Sequence, residues 1–101
     1  MTADPNLKVR LGLVIRRRRE RMGLTQEQFA DAVGMTTPYY GKIERGGQNL
    51  TLWNIQRVAA GLDAALSALL KDAENLDLEK ALRTPHKPPQ VGRPKGRRSN
   101  Y

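Results

Sequence analysis

The stretch TQEQFADAVGMTTPYYGKIERG, residues 25–46, decides how this 101-residue chain folds. It reads as two short helices joined by a tight turn. Thr25 is placed to cap the first, its hydroxyl accepting a backbone N–H of the opening turn, and Gln28 three residues on completes a reciprocal capping box. Phe29, Ala30 and Val33 fall on one helical stripe. Gly34 suits the left-handed residue that ends a helix. Thr36 or Thr37 caps the second helix, and Pro38 sits in its first turn, where a missing N–H costs little. That helix runs from about Thr37 to Arg45 and stops near Gly46.

Helix, glycine-containing turn, helix is the layout of a helix-turn-helix. The segment resembles the Cro/C1-type (XRE) helix-turn-helix domains of bacterial and phage regulators. The matching residues are Thr25-Gln26-Glu27, Ala30, Gly34, Tyr39, Ile43 and Glu44-Arg45-Gly46, with Ile15-Arg16 and Arg19 upstream and Leu52, Ile55, Val58, Ala59 and Leu62 downstream. The resemblance covers roughly residues 7–70. It implies an all-α, five-helix domain, a role in sequence-specific double-stranded DNA binding, and a second motif helix lying in the major groove. It further implies that Arg19 pairs with Glu44 and that Gln26 meets the DNA backbone. Glu44-Arg45-Gly46, Asn49-Leu50-Thr51-Leu52 and Tyr39 together look most like the controller proteins of restriction–modification systems, which implies autoregulation.

Around this segment the chain divides into residues 1–6, expected to be flexible, a helical domain over 7–83, and a tail over 84–101. Helix one is expected from Leu7 to Met22, with Leu7, Leu11, Val14, Ile15 and Met22 on one face. Gly12 reads as a weak point, costing about 1 kcal/mol relative to alanine inside a helix. Arg16 to Arg19 spread around the cylinder and form no single patch, and the stem of Arg18 is expected to cover the core edge.

On the second motif helix, spacing turns Tyr40 and Ile43 inward. Thr37, Pro38, Gly41 and Lys42 then face outward, with Tyr39 at the border. Thr37, Pro38, Tyr39 and Lys42 are the candidate base contacts. Gln26, Thr36, Arg45, Gln48 and Asn49 are the candidate backbone contacts. Leu52, Ile55, Val58, Ala59 and Leu62, with Trp53 beside them, give the core face of helix four, and Gly61 and Asp63 mark a turn. Helix five follows from about Ala64. Leu66, Leu69, Leu70 and Leu76 form a candidate homodimer surface, matching the two-fold symmetry of palindromic operators.

The tail holds four prolines and no acidic residue, while Lys87, Arg93, Lys95, Arg97 and Arg98 carry five of the eight net positive charges. It is expected to be disordered alone. Gly92 to Arg97, GRPKGR, resembles an AT-hook for a narrow A·T-rich minor groove, although Val91 stands where a full hook has another arginine. A general electrostatic tail made by Arg93, Lys95, Arg97 and Arg98 is the other reading.

Net charge +8 favours a polyanionic partner. There is no cysteine, hence no disulfide, and no apolar run long enough to span a membrane. The expected setting is cytoplasmic, bacterial or phage-derived and nucleoid-associated, without membrane contact. His86 is the single histidine, and no nucleophile, carboxylate pair or phosphate loop stands out. No enzyme, cofactor or metal is expected. Two other functions fit the same residues: an antitoxin-type repressor that also binds a protein partner, and a sequence-indifferent architectural DNA-binding protein.

Overall fold

A computed structural model describes residues 3–83, and these are all-helical. The order is α1 (Leu7–Arg21), α2 (Gln26–Ala32), α3 (Thr37–Glu44), α4 (Leu52–Gly61), α5 (Leu66–Asn75) and α6 (Leu78–Arg83). The sixth helix departs from the expected five. The chain extends at Leu76, and Asp77 accepts from the Lys80 N–H at 3.0 Å, so a new helix starts instead of α5 continuing. None of the α6 residues is buried.

The helix ends follow the local chemistry of the sequence. Thr25 and Gln28 make both bonds of the capping box, at 3.1 and 2.9 Å. Thr36, not Thr37, caps α3, and Thr51 caps α4 by accepting from Asn54 N–H at 3.1 Å. Four of the helices end with a left-handed residue just past the cap. At α2 this is Gly34, with the Met35 N–H returning to the Ala30 carbonyl at 2.9 Å, which defines the turn between α2 and α3. At α4 it is Asp63, φ 55°, while Gly61 remains inside the helix. A side chain is strained at such a φ, so Asp63→Gly is expected to raise stability by roughly 0.5–1 kcal/mol, read as a higher urea midpoint.

The core gathers Leu11, Val14 and Ile15 of α1, Phe29 and Ala30 of α2, Tyr40 and Ile43 of α3, Ile55, Val58 and Ala59 of α4, and Leu69 and Ala73 of α5. Phe29 and Tyr40 pack with ring centroids 5.0 Å apart, fixing α2 against α3. Helix α1 lies against both α5 and α3. Its approach to α3 is backbone to backbone. A Cβ on Gly12 would sit 2.4 Å from the Glu44 carbonyl oxygen, and one on Gly46 would sit 2.8 Å from Val9 Cα. Gly12 is therefore a required contact and not the weak point its helix position implied.

Several apolar residues lie elsewhere than expected. Leu52 is 77% and Trp53 67% exposed, because the core face of α4 begins one turn later, at Ile55, and Leu50 packs on the core in their place. Met22 is α1's C-cap and also exposed. Leu69, assigned to a dimer surface, is fully buried in the core, since the face of α5 that carries it packs against α1. Leu66 and Leu70 are half-buried against the core, and Leu76 is half-buried with its carbonyl accepting from Arg10. Arg18 reaches Asp72 of α5 at 2.7 Å, so its head is paired and only partly solvated.

Candidate nucleic-acid interface

The site is built from the end of α3 outward. Glu44 is buried, 5% exposed, among four donors. Arg19 Nε and Nη2 meet its two oxygens at 2.6 and 3.0 Å, Gln26 Nε2 donates at 2.9 Å, and the Tyr40 hydroxyl donates as well. Arg19 also donates to the Leu24 carbonyl at 2.6 Å. One carboxylate thereby joins α1, the loop after it, the start of α2 and the length of α3. Burial by itself would raise the Glu44 carboxyl. The bond from Arg19, followed by those from Gln26 and Tyr40, outweighs burial and holds it below the usual carboxylate value. Burial, aided by Glu44, pushes the Tyr40 phenol far above its ordinary range, so it stays a neutral donor. Burial acts to lower Arg19, but Glu44 raises it by more, and the guanidinium stays charged.

Around this anchor the exposed residues of α3 are Pro38 and Lys42, with Thr37 and Tyr39 half-buried. Thr36, Arg45 and Asn49 are exposed and Gln48 is half-buried. Gly41 is a correction: it is buried, covered by the side chains of Arg45 and Gln26, whose atoms would lie 3.2 and 3.6 Å from a Cβ there. Gln26 is half-buried, and its amide nitrogen already serves Glu44. Asn49 accepts from Lys8 Nζ at 2.9 Å, which ties the loop after α3 to the start of α1. The backbone closes the same loop, with Gly47 N–H on the Lys42 carbonyl at 2.9 Å and Gly46 at φ 74°.

Two residues of α4 belong to this site and were not picked out from the sequence. Asn54 Nδ2 donates to the Tyr39 hydroxyl at 3.0 Å. Arg57 donates to Asn54 Oδ1 at 3.2 Å and to the Val33 and Gly34 carbonyls at 2.5 and 2.9 Å. A cation on the carbonyls of the C-cap and the residue after it suits the negative end of α2. Their spacing on α4 carries no signal that they meet α2 and α3, since only the fold brings them together. The candidate tail residues Arg93, Lys95, Arg97 and Arg98 lie outside the described residues.

The described residues hold no group of three or more metal-ligating side chains, and none of their helices is long and apolar enough to cross a membrane. What they present is a helix fixed at its C-terminal end, with Pro38 and Lys42 exposed and Thr37 and Tyr39 half-buried along its open side, and cationic and amide groups in the loop beyond. The arrangement has the layout of a helix-turn-helix.

The family model described as helix-turn-helix matches residues 15–69. A control protein of Mycoplasma sp., C.MunI, is 37% identical over 70 residues, covering 68% of this chain and 95% of that protein. The restriction–modification controller protein C.AhdI of Aeromonas hydrophila aligns with a TM-score of 0.61 at 36% identity, over 65% of this chain and 98% of that one. The controller C.Esp1396I, solved as a tetramer with its natural 35 base-pair operator, aligns with a TM-score of 0.62 at 26% identity, over 71% of this chain and all of that one. The chain belongs to the helix-turn-helix family of Cro/C1 (XRE) type, and it is a DNA-binding transcriptional regulator, not an enzyme.

Proposed function

We propose that this regulator binds a palindromic operator as a homodimer and controls its own operon in the manner of a restriction–modification controller. The observation that carries the reading is the fixed α3, whose C-terminal end is locked through Glu44 while Thr37, Pro38, Tyr39 and Lys42 line its accessible side. Lys42 donates to guanine O6/N7, Thr37 meets a base edge or a thymine methyl, and Pro38 adds apolar contact. Thr36, Arg45, Gln48, Asn49 and the second amide hydrogen of Gln26 hold phosphates and set the register. The tail, with Arg93, Lys95, Arg97 and Arg98, adds charge along the duplex or its minor groove. Among the described residues, Leu52, Trp53 and Leu82 are exposed, and with the partly exposed Leu66, Leu70 and Leu76 they offer apolar groups to a second copy.

The test is selection from random-sequence DNA by the full chain at about 150 mM salt, where non-specific phosphate binding is already weakened. A two-fold symmetric motif is expected. Binding that only fades with salt, with no enriched sequence, would replace this reading with the architectural one. On the selected site, Lys42→Ala is expected to reduce discrimination against random DNA by about 1–3 kcal/mol. An unchanged ratio removes Lys42 from the reading set.

A further inference from the structure

We propose that Asn54 and Arg57 of α4 fix the polarity of the Tyr39 hydroxyl, making it a hydrogen-bond donor to an acceptor edge of a base. The inference rests on the operator-binding reading above and names two positioning residues for it. The argument starts from Arg57. A guanidinium can only donate. Its bond to Asn54 therefore requires the amide oxygen on that side, and the 3.2 Å contact is to Oδ1. The Asn54 NH2 group is then turned toward Tyr39, 3.0 Å away. Tyr39 Oη must accept from it, and its own hydrogen has to point elsewhere. Among the described residues no acceptor takes that hydrogen.

The rest of the relay is held firmly. Arg57 is anchored by the Val33 and Gly34 carbonyls, so it cannot swing away without uncapping α2. Asn54 sits in the first turn of α4, and its backbone N–H is held by the Thr51 cap. From the anchored Arg57 guanidinium, two bonds thus run through Asn54 to Tyr39 at the border of the reading surface, each with its hydrogen directed outward. Base-edge acceptors in the major groove, such as purine N7, guanine O6 and thymine O4, fit its open end. Donor-only groups do not, so the relay also disfavours the amino edges of cytosine and adenine.

Asn54→Asp inverts the relay at nearly constant shape. Its two oxygens take the bonds from Arg57 and from the Tyr39 O–H, and the hydroxyl then shows lone pairs outward. The experiment measures the affinity of the full chain for the selected site and for random DNA of equal length, in wild type, Tyr39→Phe, Asn54→Asp and the double variant. Folding is checked by circular dichroism. Each single variant is expected to lower the specific-to-random ratio about tenfold, with the double no worse than Tyr39→Phe alone. The added charge of Asp acts on both DNAs and cancels in the ratio. Additive losses, or a ratio that Tyr39→Phe leaves unchanged, overturn the proposal, as do equal losses on both DNAs, which put the acceptor on phosphate. A wild type with no preferred site would sink the operator reading itself, a different result from a preferred site with additive losses. If Asn54→Asp does not fold, the Asn54 side-chain amide resonances decide instead. They should shift in free Tyr39→Phe protein and stay in place in Lys42→Ala, and a Tyr39→Phe spectrum without that shift overturns the relay.

Discussion

Glu44→Ala is expected to destabilise the chain by about 3–5 kcal/mol, because it strands a buried guanidinium. Arg19 is 4% exposed and would keep only the Leu24 carbonyl at 2.6 Å and the more distant Glu20 carboxylate at 4.0 Å. The Tyr40 hydroxyl and Gln26 amide lose the same acceptor. The net worth of the ion pair is smaller than this loss, since burying two charges offsets much of their attraction. Replacing Arg19 by Met together with Glu44→Ala should recover part of the stability. It should not recover all, because Tyr40 stays buried with an unpaired hydroxyl. Urea denaturation measures both, and a loss below about 1 kcal/mol for Glu44→Ala would show that the pair is incidental.

The same carboxylate gives the stability a pH dependence. Its folded pKa lies below the ordinary value of 4.5, so the unfolded chain takes up the proton first as pH falls. The contribution of Glu44 is fully present above pH 4.5 and is lost as pH drops through the folded value. The gap in melting temperature between wild type and Glu44→Gln should therefore be constant near neutrality and narrow in acid. A gap that widens below pH 4.5 would contradict the depressed pKa.

Gly12→Ala is expected to cost about 3 kcal/mol, although the same change in an open helix would add about 1 kcal/mol of stability. The new Cβ would lie 2.4 Å from the Glu44 carbonyl oxygen, 2.7 Å from that of Ile43 and 2.8 Å from the Glu44 carbonyl carbon. These are backbone atoms, and no rotamer change can clear them. Either α1 or the end of α3 must move, and with α3 moves the Glu44 cluster that fixes it. DNA affinity should fall with stability. A higher denaturant midpoint for Gly12→Ala would mean that the helices separate at little cost.

The two predictions fall on positions that the sequence treats very differently. Arg19 and Glu44 were legible as a pair only through resemblance to the family, because a separation of 25 positions hides their contact. Gly12 was misjudged, since helix propensity concerns one helix and its cost is set by another. Asn54 and Arg57 gave no sign of meeting Tyr39 and the turn of the motif. Leu69 and Leu52 were each placed on the wrong side of the surface, because a leucine stripe does not say where the core ends.

What the sequence by itself determined is local. The caps at Thr25, Thr36 and Thr51, the left-handed Gly34 and Gly46, and the apolar spacing of α2, α3 and α4 specify the helices and the turn of the motif. Each depends on interactions within a few residues of chain, which spacing encodes directly. Only the tertiary structure decided which faces meet. It buried Gly41 under Arg45 and Gln26, closed the Glu44 cluster across three helices, and brought Arg57 to the end of α2. Those contacts join residues distant in the chain, and their energies depend on burial and on distances that only packing sets.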